Sequence, residues 1–212
     1  KASELCLGTM TFGGKGFWTA IGTLPQDEVD ALVKRSVEAG INFIDTANVY
    51  SEGVSEQMTG TALRNLGLRR DDLIIATKVR GKVGEGPNRI GLTRKHILHQ
   101  VEESLRRLQT DYIDLYQSHR DDPDTPIEET LSSSADLIKQ GKVREIGASN
   151  FTADRLADSL KISADKGLPR YQSLQPQYSL VERTGFEGPL EDLCLAEKVG
   201  VIGFYSLASG FL

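Results

Sequence analysis

Sulfur and large aromatics are scarce in this chain. Its 212 residues include two cysteines, two methionines and one tryptophan. Two thiols far apart in sequence make no disulfide framework. Cys6 and Cys194 both lie in apolar stretches. They read as buried free thiols of a reducing compartment, so cytoplasmic residence is expected. No run of 18 apolar residues occurs, and no membrane partner is expected. The stretch Lys1-Ala2-Ser3-Glu4 lacks the apolar core of a signal peptide. Basic residues are the minority, 25 against 30 acidic ones, giving a net charge of −5. A nucleic-acid binder should carry the opposite sign, so no nucleic-acid partner is expected. Metal-ligand spacing is also missing. His96 and His99 stand three apart, but no H-E-x-x-H occurs, so they read as a solvated helix face and no metal is expected.

What is present is ordinary globular composition, 39% hydrophobic and 26% charged. A chain of this length can bury roughly 70% of its unfolded surface. Short apolar runs alternate with amphipathic stretches. Leu5-Cys6-Leu7 is the first run, closed by Gly8, with a Gly-rich loop over 13–22 behind it. Pro25, Asp27 and Glu28 open a helix striped by Val29, Leu32, Val33 and Val37, with Gly40 as its left-handed stop. The strand at 41–44 ends at Asp45, and a helix over 54–66 leads to a strand at 73–77 ending at Lys78. Thr93 caps a helix carrying Ile97, Val101, Leu105 and Leu108. The strand at 112–117 ends near His119. Pro126 opens a helix with Leu131, Ala135 and Ile138 on one face. The strand at 143–147 runs into Ser149 and Asn150. Thr152 caps the next helix, then come a strand over 171–177, a helix over 189–198 and a last strand over 201–205.

Seven strands in strict alternation with helices imply a parallel sheet covered by helices. Two architectures compete, the doubly wound sheet and the (β/α) barrel. A dinucleotide-binding doubly wound sheet should show G-x-G-x-x-G after its first strand. Here Gly14 and Gly16 supply the first half, but Thr19 stands where the third glycine belongs. No phosphate-binding G-x-x-x-x-G-K-[ST] occurs either, since Val143 follows Gly141-Lys142. These absences weigh against the doubly wound sheet without excluding it.

Polar residues that end apolar strands carry the chemical information. In a parallel βα barrel all strand C-termini open on one face. Asp45, Lys78 and His119 each lie at or just past such an end, with Tyr50 in the loop after Asp45. Each has an ordinary reading alone: a turn cap, a solvated terminus, a loop group, a packing aromatic. Together they form a coherent set. A phenol titrates near 10, and a neighbouring ammonium should lower that value. A carboxylate would hold the ammonium, and an imidazole could orient a carbonyl oxygen. No nucleophile for a carbonyl carbon stands among them, so a hydride-donating cofactor fits. Lys78 could instead form a Schiff base, as in aldolases. Phe17 and Trp18 could wall a substrate pocket, and the loop over 81–91 could form a mobile rim.

These residues sit in motifs that resemble the aldo-keto reductase family. The stretch GINFIDTANVYSEGVSE is similar to its signature, with Asp45 and Tyr50 matching the catalytic aspartate and tyrosine. Lys78 in IIATKV and His119 in YQSHRDDPDTP match the catalytic lysine and histidine. The likeness continues through GKVREIGASNF, SLQPQYSL and FYSLASGFL, and is strongest to the bacterial-type branch that includes potassium-channel β-subunits. It implies a (β/α)8 barrel (a TIM barrel) as a single domain over 1–212, with NADP(H) bound across its mouth and a small carbonyl compound as substrate. It further implies that Ser149, Asn150 and Gln175 hold the nicotinamide carboxamide and that Tyr205 stacks on its ring. Gly8, Thr9, Met10 and Asp45 would flank the cofactor, with Ser206 and Leu207 near the pyrophosphate. The expected activity is reduction of an aldehyde or ketone by hydride from NADPH, with Tyr50 as general acid. A redox-sensing nucleotide-binding module and an inactive, truncated relative are the alternatives. The oligomeric state stays open.

Only about seven βα units are counted, and 212 residues is about 40 short of the ~250 usual for eight. The eighth unit is expected to belong to a longer polypeptide. In the family that segment carries the basic loop for the adenosine 2′-phosphate. The preference for NADP over NAD therefore rests on the resemblance alone.

Overall fold

The computed structural model describes residues 1–212. Its seven strands are β1 (Cys6–Gly8), β2 (Phe43–Asp45), β3 (Ile74–Val79), β4 (Ile113–Ser118), β5 (Val143–Ser149), β6 (Tyr171–Gln175) and β7 (Gly200–Val201). The helices between them are α1 (Gln26–Glu38), α2 (Val54–Asn65), α3 (Arg94–Leu108), α4 (Ile127–Lys139), α5 (Ala153–Lys166) and α6 (Pro189–Glu197). The strands pair in sequence order, all parallel. The β1 and β7 strands do not pair with each other, yet the loops following them face one cavity, and the Tyr205 hydroxyl lies 3.9 Å from Met10 Sδ. The sheet is therefore curled into the (β/α) barrel arrangement with seven strands, open between β1 and β7.

Alternation along each strand decides which side chains enter the barrel. Ile44, Ile75, Tyr116, Ile146 and Leu174 point outward and pack under the helices, with Val29, Val33, Ile97, Val101, Leu131 and Leu156. Phe43, Ala76 and Leu115 face inward and form a small separate cluster with Cys6 and Ile202. One step of two residues further on, the inward positions become Asp45, Lys78 and Gln117. The barrel's apolar interior thus gives way to a polar layer toward the strand C-termini.

Caps and strand-breakers account for the element limits. Thr93 accepts a bond from the His96 N–H, and Thr152 one from Arg155 N–H, each cap being worth about 1 kcal/mol. The expected strand over 171–177 stops at Gln175 because Pro176 has no N–H to donate. The expected strand over 201–205 shrinks to Gly200–Val201. Residues beyond it still follow β6, with Ile202 N–H on Leu174 O and Phe204 N–H on Pro176 O, but without a regular ladder.

Three helix-face expectations are corrected. Leu32 is exposed, because the α1 flank bearing Gln26 and Asp30 meets α2 and Leu32 lies on the other side. On α4 the buried face is Thr130, Leu131, Ser134 and Leu137, with Ala135 and Ile138 only half-buried. Ser134 tolerates burial because its hydroxyl donates to Thr130 O one turn back. His96 is buried, not solvated. It sits in the first turn of α3 against the backbone of Gly81 and Asn88, and burial lowers its pKa. His99 is exposed and its Nε2 meets Arg89.

Candidate active site

The cavity at the strand C-termini has a volume of about 510 Å³. Its floor is built from Asp45 and Lys78 at the ends of β2 and β3 and from Tyr50 and His119 in the loops after β2 and β4. Lys78, fully buried, donates from Nζ to Asp45 Oδ2 at 2.5 Å, to Thr46 O at 2.8 Å and to the Tyr50 hydroxyl at 3.3 Å. Those three bonds use all the protons of an ammonium. The His119 ring meets the Tyr50 ring edge to face, centroids 5.7 Å apart. Asp45, Tyr50 and His119 line the cavity directly, and Lys78 lies beneath them. The four side chains expected to converge do so.

Local backbone strain turns Tyr50 into place. Ser51 and Glu52 directly after it both have positive φ, and Gly53 follows at φ +92°. A left-handed residue other than glycine costs roughly 1–2 kcal/mol, so other contacts must hold this turn. Ser51 supplies them: its hydroxyl donates to Phe12 O and accepts from Gly14 N–H, tying the turn to the loop after β1. At Gly53 the φ favours glycine, and a Cβ would stand 2.9 Å from Arg107 Cδ, so that side chain would have to shift.

Electrostatics refine the expectation for the phenol. Burial raises the Tyr50 pKa above 10, and the opposing effect of Lys78 is the smaller of the two. The expected net lowering is therefore not found; Lys78 limits the rise instead. Burial works to neutralise Lys78 too, but Asp45 and Tyr50 outweigh it and its pKa is raised. His119 is pushed down to about 3 by burial and then by Lys78, Arg120 and Arg80. At neutral pH the floor holds a protonated phenol, an ammonium and a neutral imidazole.

The walls hold most of the remaining residues singled out in sequence. Gly8, Thr9 and Met10 come from the end of β1, Ser149 and Asn150 from β5, Gln175 from β6, and Tyr205 and Ser206 from the loop after β7. The Thr9 side chain is buried and bonded to Asp45 O and Ser55 Oγ. Ser149 Oγ donates to Gln175 O and accepts from Asn150 Nδ2, which also donates to His119 O. The Asn150 amide oxygen and the side-chain amide of Gln175 keep their bonding capacity for the cavity. Tyr205 adopts φ +56° and is 38% exposed at the rim. Trp18 meets Tyr50 edge to face at 5.2 Å and forms a wall.

Others lie elsewhere. Leu207 is 71% exposed and Phe17 78% exposed, and neither lines the cavity, although Phe17 packs on Trp18. The 81–91 loop does not rim the cavity. Its Gly91 N–H bonds Arg80 O and the Leu92 N–H bonds Asp122, which holds it to one side. Cys6 is half-buried and faces the cavity, where burial and then Asp45 raise its pKa; Cys194 is buried and unpaired. Sequence reading missed Thr11, Phe204 and Gln117. For Gln117 a signal existed: a long polar side chain two residues before His119 in a strand otherwise apolar on that face.

Comparison with known proteins places the chain in a family. The model of the Aldo/keto reductase family matches residues 4–212. This chain belongs to the aldo/keto reductase family. Among aldo/keto reductases and their relatives, it is 37% identical to "Aldo-keto reductase YhdN" of Bacillus subtilis, over 100% of this chain and 60% of that one. It is 38% identical to "Aldo-keto reductase AFTS1" of Alternaria alternata, over 89% of this chain and 58% of that one. It is 36% identical to a "Probable voltage-gated potassium channel subunit beta" of Oryza sativa, over 93% and 60%. The chain thus spans about 60% of the length of these relatives. No helix is long and apolar enough to cross a membrane.

Proposed function

We propose that the protein reduces an aldehyde or ketone to an alcohol using NADPH, with Tyr50 as the proton donor. One observation carries this reading: a single buried ammonium, Lys78, binds both the Asp45 carboxylate and the Tyr50 hydroxyl at the cavity floor. That arrangement suits protonating an oxygen, since the cation favours the phenolate that proton transfer leaves behind.

The walls fit a nicotinamide. Its carboxamide needs both a donor and an acceptor, and the Gln175 amide with the Asn150 oxygen offers both. Tyr205 presents an aromatic ring at the rim, where stacking would fix one ring face toward Tyr50. When bound, the reduced nicotinamide would supply the hydride. Neutral His119 would orient the substrate carbonyl, and Trp18 would exclude water from one side of it.

Protonation at the carbonyl oxygen typically contributes 10²–10⁴-fold. Tyr50→Phe should therefore lose turnover by about that factor while NADPH still quenches protein fluorescence with unchanged affinity. Full activity in that variant would remove Tyr50 from the role. Tight NADPH binding by the unaltered protein, with no turnover on any carbonyl, would favour a nucleotide-sensing module.

A further inference from the structure

Asp45 has two carboxylate oxygens, and the ion pair with Lys78 accounts for one. The other, Oδ1, accepts from Gln117 Nε2 at 2.8 Å. Gln117 is fully buried in β4, in register with Lys78 on one side and Gly147 on the other. The row continues from Gly147 to Ser173. The amide must present its N–H to the carboxylate, because its oxygen would repel it. That choice leaves Gln117 Oε1 buried with no partner, as is Ser173 Oγ. A buried acceptor without a partner costs on the order of 1–3 kcal/mol. The charged hydrogen bond to Asp45 offsets a cost of that size.

Gly147 leaves room beside the amide. A Cβ on Gly147 would stand 2.4 Å from Ser173 Oγ and 3.2 Å from Gln117 Cγ. A side chain there would meet Ser173 Oγ first and would crowd the stem of Gln117 beside it. Glycine in the middle of a buried strand otherwise weakens it.

Resting on the reductase reading above, we propose that Gln117 is a positioning residue for the proton donor: it seats Asp45 so that the Lys78 ammonium is held against the Tyr50 hydroxyl. A carboxylate bound at one oxygen can rotate about its last bond and draw the ammonium with it. Bound at both oxygens it cannot. The titratable groups facing this assembly are Cys6 from β1, Asp45 and Tyr50 from β2 and its loop, Lys78 from β3, His119 after β4 and Tyr205 after β7.

The test uses Gln117→Met, which keeps the length and removes the donor, in the full-length protein. Tyr50 is titrated by tyrosinate absorbance without cofactor, with Tyr50→Phe as the blank for the other tyrosines. Without the amide the ammonium follows Asp45 away from the phenol, so Tyr50 should titrate higher by about half a unit or more. The kcat should fall about tenfold or more with KM within about twofold. An unmoved Tyr50 titration in folded Gln117→Met overturns the proposal. If Gln117→Met does not fold, Gln117→Glu carries the test. Its introduced carboxyl can donate to Asp45 only while protonated, so kcat should fall as pH rises through its titration. A pH profile identical to that of the unaltered protein overturns the proposal. Absence of turnover in the unaltered protein would overturn the reductase reading instead, and the tyrosinate titration would still report on Gln117.

Discussion

Glu56 of α2 binds Arg107 of α3 by a 2.6 Å ion pair, with both side chains buried outside the barrel wall. Its other oxygen accepts from Thr77 Oγ1 at 2.6 Å, the residue before Lys78. Two helices and a strand are thus fixed at one carboxylate, directly behind the cavity floor.

Removing one member of a buried pair leaves the other charge uncompensated, at about 3–5 kcal/mol. Glu56→Gln should therefore lower stability by about 3 kcal/mol in denaturant unfolding, with Glu103 relieving part of the loss at 3.7 Å from Arg107. A loss below about 1 kcal/mol would show that the pair does not hold the helices on the sheet.

Lys78→Met removes the cation beside Tyr50. The ammonium lowers the phenol's pKa, so its loss should raise it further. Turnover should fall about 10²–10⁴-fold, and the alkaline limb of kcat should move to higher pH. An unchanged pH–rate profile would remove Lys78 from this role.

His119 should not titrate in the neutral range. Folded, it binds a proton only near about 3; unfolded, near its ordinary 6.5. The unfolded state therefore takes up the proton first as pH falls. The stability contributed is full above 6.5 and is lost as pH falls toward about 3. Proton NMR of the imidazoles, assigned by comparison with His119→Asn, should show no His119 transition above about pH 5. A transition near 6.5 would mean a solvated, charged ring.

Much of this was legible in sequence because strands and helices announce themselves by period. Asp45, Lys78 and His119 could be placed at strand ends from the apolar runs alone; alternation implied a helix-covered parallel sheet, and the barrel came from the resemblance to the family. Features that depend on a neighbour were not legible. The shortened seventh strand depends on its neighbour β6 ending at Gln175. The burial of His96 depends on a loop folding over the first turn of α3. The high pKa of Tyr50 reflects how deeply the ring is enclosed, which no motif states. Gln117 reads as a strand residue until the register sets it beside Lys78.

If the cavity floor protonates a carbonyl oxygen as hydride arrives, as proposed, NADPH oxidation and alcohol formation go together. The direct measurement is steady-state NADPH oxidation by the full-length protein with nitrobenzaldehyde and a panel of aliphatic carbonyls, with the alcohol quantified alongside. Saturable oxidation with one alcohol formed per NADPH consumed is expected. Tight NADPH binding with no alcohol from any member of the panel would rule out the proposed proton transfer.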